Sequence, residues 1–279
     1  MTTGTEQTSP APEGTSDYYD VSNLVLVELW DDNFHHGYWL SEDDESSNKV
    51  ATDRLTDLLI EKSGLGRGGR VLDVGCGIGT SAFRLAGISP AEVVGVSNNQ
   101  AQIDEANRRS AALGLAGRVT FEFADVLSLP YDDDAFDVVW VFEALMHMDR
   151  SRTLLELRRV LRPSGRIVIT DLLRHGPLDE ADERTVREHL EEMHSSPLLP
   201  EAEYRALVAE AGLELDELLD VSENTRKTAW RVYDAVNERY QEMVERFGPE
   251  VAGLLEVFRN PIGLLPQMGY LIAVARKPA

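Results

Sequence analysis

Arg70-Val71-Leu72-Asp73-Val74-Gly75-Cys76-Gly77-Ile78-Gly79-Thr80-Ser81-Ala82-Phe83 decides the fold. An apolar strand carries an acidic residue near its end, alternate glycines follow at 75, 77 and 79, and a helix opens at Thr80. Gly75 and Gly77 let the main chain turn sharply and approach a ligand closely, because a Cβ at either position would occupy the ligand's space. The pattern is a cradle for a nucleotide-like ligand. Its spacing narrows the choice. A dinucleotide fingerprint needs its third glycine three residues after the second, where Thr80 stands, and Gly79 falls one residue short. Also missing is the Lys-Ser/Thr pair with which a P-loop holds phosphate.

Outward from this stretch, strand and helix alternate. A helix over 50–63, with Leu55, Leu58 and Leu59 at helical spacing, precedes a glycine-rich break at 64–69. Strands are predicted over 70–74, 92–97, 119–124, 136–142 and 166–172, with helices over 80–86, 99–113 and 151–161 between them. Gly114 supplies a left-handed cap, and Pro163-Ser164-Gly165 turns the chain into the fifth strand. Repeated βα units make an α/β, doubly wound, mostly parallel sheet with helices on both faces. Ligands of such sheets lie outside the carboxyl ends of the strands, near the switch in strand order.

The C-terminal third differs. It reads as helices over 178–193 and 201–211, a strand over 213–221, a long helix and an apolar closing strand over 268–275. On the long helix Trp230, Tyr233, Val236, Tyr240, Met243 and Phe247 recur every three to four residues, a stripe read as core rather than cofactor box. At the other end, residues 1–16 have the composition of a disordered tail. The expected organisation is that tail, an N-terminal helical lid over 17–64, a ligand-binding core over 65–175, and cap helices with closing strands over 176–279.

Composition excludes several partners. A net charge of −22 over 279 residues repels DNA, RNA and acidic membrane surfaces, and leaves a small uncharged or cationic molecule as the natural partner. The single cysteine, Cys76, forms no intramolecular disulfide and points to the cytoplasm. No apolar run approaches the roughly 20 residues of a membrane helix, and no signal pattern opens the chain. His175, His189 and His194 lack the spacing of a metal site, so none is expected. An N-terminal segment packed on a neighbour's core would make a homo-oligomer.

The glycine stretch resembles motif I of the class I S-adenosylmethionine methyltransferases, whose ligand has no phosphate and needs no lysine. The resemblance covers residues 50–175 through Ala124-Asp125-Val126-Leu127-Ser128-Leu129-Pro130-Tyr131, Phe136-Asp137-Val138-Val139 and Leu161-Arg162-Pro163-Ser164-Gly165-Arg166. It implies S-adenosyl-L-methionine as cofactor, S-adenosyl-L-homocysteine as product, and a Rossmann-like seven-stranded sheet closed by an antiparallel strand. It also implies that Asp73 sits by the methionine ammonium and that the Gly75 and Gly77 backbone passes under the ligand. Asp125 would accept from the adenine amino group, with Val126 packing or bonding beside it. One position departs from the common pattern. The second strand ends Gly95-Val96-Ser97, where most class I enzymes place a carboxylate on the ribose hydroxyls. A subgroup that includes cyclopropane synthases, tocopherol-type enzymes and many natural-product O-methyltransferases has Gly-x-Ser/Thr with Gln five residues later, and Ser97 and Gln102 match it. Hydroxyl and amide can each hydrogen-bond a ribose oxygen, while the competing role for Ser97 is to cap the next helix.

Methyl transfer is an in-line displacement on an activated carbon, so the protein must align the reactants, exclude water and, for a hydroxyl, take a proton. Glu143-Ala144-Leu145-Met146-His147-Met148-Asp149 follows the fourth strand and brings His147, a group that titrates near neutrality, to the methyl position. Related sugar O-methyltransferases often carry two consecutive histidines here, and Met146 replaces the first. A structural histidine bonded to the loop backbone is the competing reading. Asp171 at the end of the fifth strand orients His147, contacts the acceptor or caps a turn; Glu143 supports the loop or contacts cofactor. Tyr19, His36 and Trp39 resemble the lid that closes over methionine and substrate in this subgroup, with packing aromatics as the other reading. The expected activity is O-methylation of a small secondary metabolite with His147 as general base. Alternatives are C-methylation of an electron-rich ring or alkene, with Glu143, Tyr19 and Trp39 holding the developing cation, and a cofactor-binding cyclase or scaffold. Thr80 and Ser97 disfavour an NAD-dependent enzyme.

Overall fold

The computed structural model describes residues 29, 30, 33, 35–66, 68–249, 251–259 and 261–279. The tail over 1–16 and the candidate lid residue Tyr19 lie outside the described residues. In chain order the elements are α1 (Asn48–Lys62), β1 (Arg70–Val74), α2 (Thr80–Ile88), β2 (Glu92–Ser97), α3 (Gln100–Ala112), β3 (Val119–Phe123) and β4 (Phe136–Phe142). There follow α4 (Arg150–Val160), β5 (Leu161–Arg174), α5 (Glu180–Glu192), β6 (Leu199–Pro200), α6 (Glu201–Glu210) and β7 (Glu214–Asp220). The chain closes with α7 (Ser222–Thr225), α8 (Lys227–Phe247), α9 (Val251–Arg259) and β8 (Met268–Arg276).

The strands line up in the order β3-β2-β1-β4-β5-β8-β7, with β6 attached to β5. The first five strands pair in parallel, and β8 runs antiparallel between β5 and β7. This is the doubly wound arrangement expected, with one strand more than seven. The extra strand is the pair Leu199–Pro200 beside Leu173 and Arg174, too short to show a period and ending on a residue suited to a sheet edge.

Because side chains alternate across a strand, each strand feeds two cores. Leu72, Val74, Val139, Val141, Ile167 and Ile169 pack with Leu154, Leu157 and Tyr204 of α4 and α6. The intervening Val71, Val138, Trp140 and Val168 pack instead with Leu55, Leu59, Leu85 and Ile103 of α1, α2 and α3. Burial on both faces explains the continuous apolar runs in sequence. The strand order reverses between β1 and β4, so the crevice at Val74 and Phe142 is where a ligand is expected.

Two elements of the C-terminal third differ from the sequence reading. Helix α9, absent from that reading, covers one side of α8 through Val251, Leu254, Leu255 and Phe258. The fully buried members of the α8 stripe are Val236 and Met243, whereas Trp230 is 53% exposed. Val236 and Met243 form the buried centre of that contact, with Tyr240 and Phe247 partly buried at its edge.

Gly79 has a backbone φ of +84° and precedes α2, and a Cβ there would lie 2.4 Å from Phe121 Cζ. The Gly79→Ala variant combines left-handed strain with overpacking. It should lose about 2 to 4 kcal/mol of stability, read as a lower urea midpoint at unchanged slope.

Candidate active site

The β1–α2 turn is stitched to the end of β2. Gly75 N and Cys76 N both donate to Val96 O, at 2.9 and 3.2 Å. Gly75 answers to more than a ligand: a Cβ there would come within 2.5 Å of Ala144 Cβ in the loop after β4. Gly77 (φ +52°) differs, since a Cβ there would meet no atom within 4 Å, so its backbone faces the open side of the cradle. Asp73 is buried beside this turn, and its Oδ2 has no hydrogen-bond partner among the described residues. Burial pushes its carboxyl up to about 7. An unpartnered, dehydrated carboxylate oxygen at a ligand crevice calls for a donor or a cation. The Cys76 thiol is pushed up by burial and then by Asp73, so it stays protonated.

Ser97 and Gln102 meet each other at the end of β2. Ser97 Oγ donates to Gln102 Oε1 at 2.9 Å and accepts from Asn99 N at 3.2 Å. The cap of α3 is Asn99, whose Oδ1 accepts from Gln102 N at 2.9 Å. Asp125 is exposed just beyond β3, with Oδ1 accepting from Leu127 N at 2.9 Å, and Val126 beside it is half-buried.

After β4 the chain turns through Glu143, a non-glycine residue with φ +48°. Its N–H reaches both Thr170 O and Thr170 Oγ1 at 3.1 Å. Its Oε1 accepts from His36 N at 2.7 Å, His36 Nδ1 at 3.0 Å and the Tyr270 hydroxyl at 2.6 Å. Burial opposes the charge, but His36 and the Tyr270 hydroxyl outweigh it and hold the carboxyl down at about 2. The His36 and Tyr270 rings lie 4.6 Å apart. Glu143 therefore ties the N-terminal segment to the closing strand. Tyr270 escaped the sequence reading because it sits in an otherwise apolar strand.

Trp39 is placed in the core. It is 1% exposed and packs with Trp30 and Ala51, and its indole N–H donates to Ser46 O at 3.2 Å. Of the two reachable lid candidates, His36 faces the crevice residues and Trp39 does not.

His147 ends the short helical turn Leu145–His147 ahead of α4. Its Nδ1 lies 3.2 Å from Ser195 Oγ and 3.4 Å from His194 O. Burial lowers its pKa, which favours the neutral ring that a base requires. Asp171 is fully buried in β5 and pairs at 3.7 Å with the Nε of Arg150, the first residue of α4. Burial outweighs Arg150 and pushes the Asp171 carboxyl up to about 6. Arg150 Nη1 in turn donates to Pro197 O at 2.8 Å. Arg150 and Ser195 were not legible as site residues, since neither belongs to a local motif.

A family model described as a methyltransferase domain matches residues 65–233. The chain is 38% identical to methyltransferase GfsG of Streptomyces halstedii over 263 residues, 94% of this chain and 93% of that one. It is 40% identical over 280 residues to the 27-O-demethylrifamycin SV methyltransferase of Amycolatopsis mediterranei, covering 97% and 99% of the two chains. Among solved structures, the [4+2]-cyclase SpnF superposes with a TM-score of 0.84 at 32% identity, covering 98% of each chain. Sheet order, glycine turn and crevice define the class I methyltransferase architecture. The chain belongs to the methyltransferase-domain family and is an S-adenosylmethionine-dependent methyltransferase.

The raised pKa of Asp73 has a defined sign. Its folded value of about 7 exceeds the ordinary 3.8, so between those values the folded protein binds more protons than the unfolded, and stability falls as pH rises. The ligand-free Asp73→Asn variant should therefore melt above the parent at about pH 8, with the gap closing on acidification toward pH 4. Paired thermal melts across that range measure it.

Proposed function

We propose that the enzyme O-methylates a hydroxyl of a small natural product with His147 as general base. The observation that carries this reading is a half-buried imidazole just past the carboxyl end of β4, held at Nδ1, with its pKa lowered toward the neutral ring. The relative named for 27-O-demethylrifamycin SV, 40% identical along almost the whole chain, supports an oxygen acceptor.

Asp73, Gly75, Gly77, Ser97, Gln102, Asp125 and Val126 would hold the cofactor. The unpartnered Asp73 Oδ2 suits the methionine ammonium, the open Gly77 side suits close backbone approach, and the Ser97–Gln102 pair suits the ribose. When bound, the cofactor supplies a methyl group on a positively charged sulfur. The chain's own residues then align and dehydrate the acceptor, and His147 accepts the hydroxyl proton as the new bond forms. Residues 17–64 serve as the lid, 65–175 as the cofactor-binding core and 176–279 as the cap, with the Glu143 contacts to His36 and Tyr270 closing lid on core. Asp171 acts through Arg150 rather than on the acceptor. Trp39 contributes packing. Among the described residues no helix is long and apolar enough to cross a membrane, and we place the enzyme in the cytoplasm acting on a diffusible acceptor.

The similarity to a [4+2]-cyclase at 32% identity favours a second reading, in which the bound cofactor is structural and the pocket serves cyclisation. Hydroxylated macrocycles, with 27-O-demethylrifamycin SV first among them, separate the two. Methyl release in the parent, with His147→Gln cutting kcat by roughly a hundredfold or more at unchanged cofactor affinity, supports the base. Full turnover in that variant overturns it, and cofactor binding without methyl release on any acceptor favours the cyclase. Calorimetry supplies a second check. The Kd for S-adenosylmethionine should tighten from about pH 5 to about pH 7 in the parent, as Asp73 ionises and before the ligand's own ammonium titrates, and change much less in Asp73→Asn.

A further inference from the structure

We infer that Ser195, together with the His194 carbonyl, is a positioning residue that fixes the tautomer of His147 and so leaves the basic lone pair on Nε2. Helix α5 ends at Glu192, and the chain leaves it through His194, a non-glycine residue with φ +50°. Ser195 N closes the turn on Leu190 O at 2.7 Å. This geometry sets His194 O 3.4 Å and Ser195 Oγ 3.2 Å from the same ring nitrogen, His147 Nδ1.

The direction of the hydrogen bonds follows from the groups themselves. A carbonyl only accepts, so Nδ1 must donate to His194 O. The Ser195 hydroxyl can send its own proton to Met193 O, 3.3 Å away, and is then also an acceptor for Nδ1–H. Carbonyls at the end of a helix carry partial negative charge, which favours a donor facing them. In a neutral imidazole a proton on Nδ1 puts the lone pair on Nε2.

The orienting segment is tied to the loop it serves. Ser196 N donates to Met146 O at 2.7 Å, one residue before His147, and Arg150 Nη1 holds Pro197 O at 2.8 Å. Strand β6 then anchors the segment to β5 through Leu199 and Pro200. Ring and orienter therefore form one body, built from two stretches that lie 48 residues apart in sequence. The charged and titratable neighbours acting on the ring are Glu143, which favours its charged form, and His194 and Arg150, which oppose it.

The inference rests on His147 as the base, and its test is chosen to fail separately. Nuclear magnetic resonance of the isotope-labelled imidazole nitrogens in the full-length, ligand-free protein reads the tautomer without any acceptor, with His147→Gln identifying the signal. The neutral ring of the parent should be protonated at Nδ1. Ser195→Ala should mix the two tautomers and weaken proton binding by His147 roughly three- to tenfold, because an acceptor that stabilises the imidazolium is gone. Ser195→Thr should restore both. A parent ring protonated at Nε2, or a Ser195→Ala ring with unchanged tautomer and titration, overturns the inference whatever the activity of His147→Gln. Retained methyl transfer in His147→Gln would instead overturn the base alone.

Discussion

One half-buried oxygen, Glu143 Oε1, joins the N-terminal segment of this enzyme to its closing strand. It takes two donors from His36 and one from Tyr270, residues of the N-terminal segment and the closing strand. A buried carboxylate is costly unless its charge is met by donors of good geometry, and here three converge on one atom. Glu143 holds this position from a left-handed backbone conformation, itself secured by two contacts of its N–H to Thr170. The turn after β4 is where such strain is useful, because the same turn delivers Ala144 against Gly75 and His147 to the crevice.

Three carboxyls near one end of the sheet show how burial and partners together set behaviour. Glu143 is held at about 2 by His36 and Tyr270 after burial has worked against it. Asp171 rises to about 6, with burial outweighing Arg150 at 3.7 Å. Asp73, with no opposing charge acting on it, rises to about 7. The satisfied group is architectural. The unsatisfied one, Asp73, keeps an unpartnered oxygen and bears the full cost of burial.

The same sheet and crevice serve transferases and a cyclase, so the framework alone does not choose the reaction. Under the proposed function the choice falls to the loop after β4 and the segment after α5, which meet at His147 Nδ1. Both are irregular connections held by a rigid sheet, the usual location for groups that act on substrate.

Much of this was legible in the chain because it depends on near neighbours. Strand and helix periods place the βα units, glycine spacing marks the turn, and Ser97 reaches Gln102 because a helix start brings residues five apart together. The core role of the aromatic stripe was legible only in part, since spacing does not say which face of α8 receives α9. Trp39 shows the same limit: an aromatic near a lid can face the crevice or the core, and only packing against Trp30 and Ala51 decides. The decisive pairings lie beyond any local pattern. Glu143 meets His36 across 107 residues and Tyr270 across 127, and His147 meets Ser195 across 48. The sequence by itself determined the cofactor cradle and the sheet that carries it, because backbone preference and side-chain period act over a few residues. Which buried charges are satisfied and which remain available for chemistry was decided only by the tertiary structure, because that depends on where distant segments close.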